Sequence, residues 1–403
     1  MVTMTSTGHT PDGAQEAVPS HRRSRTGPGG PAPLTVGVEE EYLLVDPVSR
    51  QVSPEAEEVV AEAACELGGR VTTEITRYQV EVRTDPHTSL ADLAEQVSSL
   101  RAAVARAAER QGLRTISSGT PVLGQAAPPP LTAGPRYDRS AAVFRALDDE
   151  QSACACHIHV GVPDLATALD VSNHLRPRLP VLIALAANSP YWAGRDTGYA
   201  SWRTTIWGRW PVAGPPPYFE SPDHFEELVS GFLATGTVMD RGGLYWDIRP
   251  SHHVPTLEFR FADATTTAGE TVLLAGLVRA MVATALQAIG SGDPAFRPQP
   301  EMLRAAYWRA ARDGLAGESI DLRTGRLAPA ADQVEQLLSW LEPSLRDQGD
   351  TELISTLWSR LRAHGSGAER QRAAYQRCGS AIGVVDHLIS ATTPSGTRRR
   401  LTS

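Results

Sequence analysis

The sequence predicts an α+β fold in which a sheet rests one face on helices and turns a charged face outward. Three observations predict it. Short stretches rich in β-formers and bounded by Gly or Pro are interleaved with stretches whose apolar residues recur every three or four positions. In four of the short stretches, carboxylate, imidazole or guanidinium groups occupy alternate positions. From about Glu301 onward the pattern is mostly helical.

Leu34–Val45 reads as the first strand, closed by Asp46-Pro47. Val71–Thr84 alternates and stops before Pro86, and Ala153–Val162 and Thr256–Ala262 are equally short. Leu90, Leu93, Val97, Leu100 and Val104 mark a helix that Gly112 stops. Thr267 and Glu270 fit a capping box ahead of Leu273, Leu274, Leu277, Val278 and Met281. Asn188–Phe225 combines many prolines with Trp192, Trp202, Trp207 and Trp210 and reads as an ordered loop beside a substrate site. Residues 1–33, rich in Gly, Pro, Ser and Thr, read as a disordered tail. Residues 392–403, with Arg398–Arg400, read as a second, basic tail, leaving 34–391 as a single catalytic domain.

Composition narrows the function. The net charge of −8 over 403 residues opposes a nucleic-acid footprint, which needs a basic patch. No uninterrupted run of about 18 apolar residues is apparent, so no membrane partner is expected. Arg22 and Arg23 are followed by Gly and Pro instead of an apolar signal core. Four cysteines are too few for a disulfide framework, and a cytoplasmic location is expected. The chain contains no lysine at all. A phosphate-binding P-loop, a kinase strand lysine and a Schiff-base lysine are therefore excluded, and any phosphate must meet Arg, backbone N–H groups or metal.

Residues two apart on a strand share a face. Glu39 and Glu41 therefore share one, as do Gln79, Glu81 and Arg83, His157 and His159, and Glu258 and Arg260. The opposite positions are largely apolar: Val38 and Tyr42, Val80 and Val82, Ile158 and Val160, Leu257, Phe259 and Phe261. One such strand is an ordinary solvated surface. Four together suit a divalent cation held by Glu and His, with Arg matched to phosphate oxygens. Zinc at Cys154-Ala155-Cys156-His157 is disfavoured by the same parity, which turns the cysteines and the histidines to opposite faces.

On these strands the chain resembles the glutamate–cysteine ligase type 2 family, carboxylate–amine ligases of the glutamine-synthetase-like fold. The resemblance rests on Gly37-Val38-Glu39-Glu40-Glu41, Gln79-Val80-Glu81, Gly119-Thr120-Pro121 and His157-Ile158-His159-Val160-Gly161. It continues in Asn188-Ser189-Pro190-Tyr191, Tyr245-Trp246-Asp247-Ile248-Arg249-Pro250 and Leu257-Glu258-Phe259-Arg260, and so spans about Leu34 to Leu388. It implies an antiparallel sheet curved into a funnel with helices outside, and ATP and Mg2+ as cofactors. It implies Glu39, Glu41, Glu81, His157 and Glu258 as metal ligands, with Glu74 a further carboxylate. Glu81, Glu258 and Arg260 would be catalytic, Arg260, His159 and Arg249 would contact ATP, and Arg203 and Arg249 the substrate. The partners implied are small molecules, glutamate with cysteine or another amine, and a homo-oligomer is compatible. Two departures stand out: relatives often carry Gly-Thr-His-Pro at Gly119-Thr120-Pro121-Val122, and some carry an acid in place of Arg77. A different amine, a non-catalytic glutamate or nucleotide sensor, and a guanidino kinase remain as alternatives.

Overall fold

The computed structural model describes residues 33–124, 128–150 and 152–393. The expected tails, up to residue 32 and from 394, lie outside the described residues. Seven strands build one antiparallel sheet: β1 (Val36–Val45), β2 (Val71–Thr73), β3 (Gln79–Arg83), β4 (Arg114–Ile116), β5 (Ala155–Gly161), β6 (Ile248–Pro250) and β7 (Thr256–Asp263). Their order is β2-β3-β1-β5-β7-β6, with β4 also paired to β1. β1 is thus central, and β6 forms one edge.

The alternation read from the sequence holds, and it decides where the core lies. Val36, Val38, Cys156, Ile158, Val160, Leu257, Phe259 and Phe261 pack in one cluster with Val272, Leu274 and Val278 of the helix Ala268–Gly290. Tyr42, Leu44, Val80 and Val82 pack in another with the helices Ala56–Leu67 and Leu90–Arg110. Burial of this many aliphatic side chains at about 25 cal/mol per Å2 is the main force holding helices to sheet. Cys154 and Cys156 are buried and unpaired, in keeping with their reading as small apolar residues.

Several sequence expectations need correction. Val71–Thr84 is not one strand but a hairpin, β2 and β3, joined through Glu74–Tyr78. β4 and β6 are three residues each and too short to show a period, and the ribbon Glu318–Asp321 with Arg326–Pro329 interrupts the helical last third. Thr267 does cap its helix, accepting from Glu270 N, but Glu270 reaches back to Thr266 N and not to Thr267. That helix, 23 residues with a mean hydropathy of 1.9 over its most apolar 18, is long and apolar enough to cross a membrane by length and composition alone, although no uninterrupted apolar run of that length occurs in it. Residues 272–282 along it are buried between the sheet and neighbouring helices, as in a core helix.

Pairing of β5 with β7 is irregular. Cys156 sits opposite Ala262 and Ile158 opposite Phe259, so His157 alone faces both Arg260 and Phe261. This is a β-bulge with its extra residue on β7.

Candidate active site

Strand register brings the separately identified side chains onto one face. Glu39 pairs with Arg83 on one side and His157 on the other, Glu41 with Glu81, His159 with Glu258, and Glu258 with Arg249. Residues directly opposite in an antiparallel pair point the same way, so Glu39, Glu41, Glu81, His157, His159, Arg249 and Glu258 all face one side of the sheet. Arg260 joins them two positions from Glu258.

Their carboxylates fall into two groups. Glu39, His159 and Glu258 offer ligand atoms within 4.8 Å of one another, and Glu41, Glu74 and Glu81 do the same. The first group is surrounded by cations. Arg249 clamps Glu258 with Nε at 2.7 Å from Oε2 and Nη2 at 3.2 Å from Oε1, and Arg260 Nη1 donates to the same Oε1. Burial alone would raise the Glu258 carboxyl, but Arg260 and Arg249 hold it well below the usual range. Glu39 behaves alike: hydrogen bonds with His157 and His159 overcome its burial and keep its pKa low. His157 Nδ1 lies 3.2 Å from Glu39 Oε2, and burial followed by the Arg260 charge lowers its pKa to about 4. His159 lies 3.5 Å from Glu39 by Nε2 and 2.9 Å from the Thr256 hydroxyl by Nδ1. Its own burial opposes protonation, yet the Glu39 hydrogen bond raises its pKa.

No arginine pairs with the second group. Among the described residues its oxygens accept from backbone N–H groups, Ala155 N to Glu41 at 2.9 Å and Ile75 N to Glu74 at 2.5 Å, and His157 Nε2 lies 4.0 Å from Glu41 Oε1. Burial, then the Glu74 charge, pushes the Glu41 carboxyl up to about 8. Burial and the charges of Glu39, Glu74 and Glu41 raise Glu81 well above its ordinary value, and burial raises Glu74. Three hard oxygen donors without a compensating cation suit Mg2+. Glu74 enters through the turn between β2 and β3, which only the hairpin could have revealed.

Other expected contacts differ in kind. Arg203 is buried and donates to the carbonyls of Arg260 at 3.0 Å and Phe261 at 3.4 Å, bracing the bulge, while its Nε has no partner. Arg249 spends Nη1 on the carbonyls of Gly242 and Leu244. Arg260 Nε and His157 Nε2 are buried without a hydrogen-bond partner, the signature of atoms that await a ligand. The stretch 188–225, expected as a loop, carries a short ribbon, Tyr191–Trp192 with Arg195–Asp196, and the helix Trp202–Trp207; Trp207 and Trp210 pack around Tyr245 in tilted and edge-on contacts with centroids 4.8 and 5.4 Å away.

Some shared motifs turn out to be struts. Asp263 accepts from Asn188 N, the Ser189 hydroxyl and the Ser201 hydroxyl at 2.7–2.8 Å, and Asn188 in turn bonds Ser117, Ala264 and Gln371. A Cβ on Gly119 would meet Asp263 Cγ at 2.6 Å, which is why glycine stands there. Val122 packs its side chain with Leu43 and Tyr191 in an apolar cluster, while its carbonyl accepts from Gly194 N at 2.8 Å. Glu40, between Glu39 and Glu41, points into the core and pairs with Arg101.

Comparisons with known proteins show the family and the fold. The model of the Glutamate-cysteine ligase family 2 matches residues 35–387. A protein of Saccharopolyspora erythraea named "Putative glutamate--cysteine ligase 2-1" is 45% identical over 361 residues, covering 90% of this chain and 95% of its own. One of the same name from Nocardia farcinica is 46% identical over 365 residues, covering 89% and 93%. Among solved structures, the glutamate–cysteine ligase of Francisella tularensis in complex with AMP superposes with a TM-score of 0.66 at 11% identity, over 92% of this chain and 91% of its own. The bifunctional glutathione synthetase of Pasteurella multocida gives 0.63 at 14% identity over 89% of this chain and 52% of its own, a likeness of fold. With its antiparallel sheet, its helices on the opposite face and relatives at this identity over nearly their whole length, the chain belongs to glutamate–cysteine ligase family 2 and is a ligase of that class.

Proposed function

We propose that this ligase uses ATP and Mg2+ to join the side-chain carboxylate of glutamate to an amine through an acyl phosphate, with cysteine as the favoured amine. The observation that carries the reading is the pair of carboxylate groups on one sheet face beside Arg260. Glu41, Glu74 and Glu81 would hold one Mg2+, and Glu39, His159 and Glu258 a second. Bound metal would neutralise charge on the transferring phosphoryl group. Unpartnered Arg260 Nε is placed to donate to a phosphate oxygen, and Glu258, anchored by Arg249, fixes the Arg260 guanidinium. His157 supports Glu39 from the neighbouring strand.

The γ-phosphoryl of ATP passes to the glutamate carboxylate oxygen and ADP leaves. The amine nitrogen then attacks the acyl carbon, the amide bond forms, and the C–O bond to phosphate breaks. No protein nucleophile is needed, and none of the groups on this face is placed as one. Catalysis is positioning and charge stabilisation. The AMP carried by the Francisella neighbour supports an adenine nucleotide in this fold. We place the reaction in the cytoplasm, where free thiols such as those of Cys65 and Cys378 persist.

Mass spectrometry of the products from ATP, Mg2+, glutamate and a mixture of amino acids tests the proposal. A γ-glutamyl amide with ADP is expected, and its mass names the amine. Phosphorylation of a guanidine, or no ATP cleavage with any amine, would overturn it.

A further inference from the structure

Asp247 is a buried acid next to the site that forms no ion pair among the described residues. It is 4% exposed and immediately precedes β6. Its carbonyl accepts from Arg260 N at 2.8 Å, and extending the register Ile248–Phe259, Arg249–Glu258 by one residue sets it across from Arg260. Tyr245, Asp247 and Arg249 occupy every second position of this edge segment. The two nearby arginines are committed elsewhere, Arg260 to Glu258 and Arg203 to carbonyls of β7, and no ion pair to Asp247 forms among the described residues. The Tyr307 hydroxyl is its polar neighbour. Burial raises the pKa of this acid to about 6, against the opposing charges of Arg203 and Arg260.

Donors without acceptors lie close by. Arg203 is 3% exposed with Nε unpartnered, and its guanidinium lies 5.9 Å from the ring of Trp207, whose Nε1 is also unpartnered. Trp207 in turn packs at a tilt against Tyr245. An acid lacking a cation and donors lacking an acceptor, side by side and dry, call for a ligand that carries both charges. An α-amino acid does. In the ligation, the α-ammonium and α-carboxylate of glutamate stay charged throughout, whereas the attacking amine must lose its proton. A permanent ammonium partner therefore belongs to the carboxylate substrate.

We propose that Asp247 binds the α-ammonium group of the amino acid whose side-chain carboxylate is activated, with Arg203 Nε and Trp207 Nε1 donating to its α-carboxylate. This rests on the ligase reading above. The site thereby selects an amino acid over the corresponding dicarboxylic acid.

Calorimetry on the full-length protein with Mg2+ and a non-hydrolysable ATP analogue, titrated with L-glutamate or glutarate, tests it. The unaltered protein should prefer glutamate by about 10²-fold, the scale of a buried charge pair, and Asp247→Asn should shrink that ratio to a few-fold without weakening glutarate. Equal affinity of the unaltered protein for both ligands overturns the proposal with no variant needed. So does an Asp247→Asn protein that keeps the ratio, or that loses both ligands equally as a structural defect would cause. If the unaltered protein forms γ-glutamyl product while the ratio stays fixed, only the role of Asp247 falls. If it neither binds glutamate nor cleaves ATP with it, the ligase reading falls too.

Discussion

Two carboxylate groups share one sheet face and are held in opposite ways. Glu39 and Glu258 sit among Arg249, Arg260, His157 and His159, and both are kept ionised. Glu41, Glu74 and Glu81 sit among one another, and all three have raised pKa values. The first group is a finished ion-pair network in which a metal would be an addition. The second is incomplete: its like charges can coexist only with protons or with a cation bound. Nearness of acidic side chains alone does not distinguish these cases; the presence of compensating arginine does.

Catalysis should treat both groups alike, so the largest effects come first. Glu258→Gln and Glu81→Gln should each lower ligation by about 10²–10³, measured as ADP release with glutamate and amine. Either variant retaining full activity would remove its residue from the machinery.

Stability should separate them. Glu258→Gln strands two buried guanidinium groups and should cost about 3–5 kcal/mol in denaturant melts of the metal-free protein. Glu81→Gln relieves repulsion and should leave that stability unchanged or raised. The same sign for both would break the comparison.

pH offers a gentler probe. The folded-state pKa of Glu41, about 8, lies above its ordinary value of 4.5. Its contribution to stability is therefore complete below pH 4.5 and is lost as pH rises through 8. The metal-free protein should be less stable at pH 8.5 than at pH 6, and added Mg2+ should reverse the order. Because the metal must displace a proton, its affinity should rise by up to about tenfold per pH unit across this window, with proton release visible in weakly buffered titrations. The smallest expected effect is on heat stability: millimolar Mg2+ should raise the melting temperature of the unaltered protein, and Glu81→Gln should abolish the shift.

Much of this face was legible because strand parity is a local property. Glu39 with Glu41, His157 with His159 and Glu258 with Arg260 needed only neighbours in sequence. Division into two groups was not legible, since it depends on which residue of β1 stands opposite which residue of β3 and β5, about forty positions away for β3 and about 120 for β5. Glu74 was noted as a further carboxylate, but its place with Glu41 and Glu81 follows from a turn inside what reads as one long strand. Glu40 shows the limit of pattern reading: its burial is met by Arg101 on a distant helix. Asp247 went unassigned although it lies in a recognised motif, because β6 is too short to declare its own alternation.

The bulge on β7 has a consequence for the far end of that strand. With strict alternation, Asp263 would follow Phe259 and Phe261 into the helix layer, where its charge would have no answer. One additional residue lets Phe261 and Ala262 both enter the core and shifts the phase, so that Asp263 emerges beside Ala155 and gathers Asn188, Ser189 and Ser201. Deleting a single residue between Arg260 and Asp263 would thus unmoor the tryptophan-bearing loop while leaving every metal-binding side chain intact in composition.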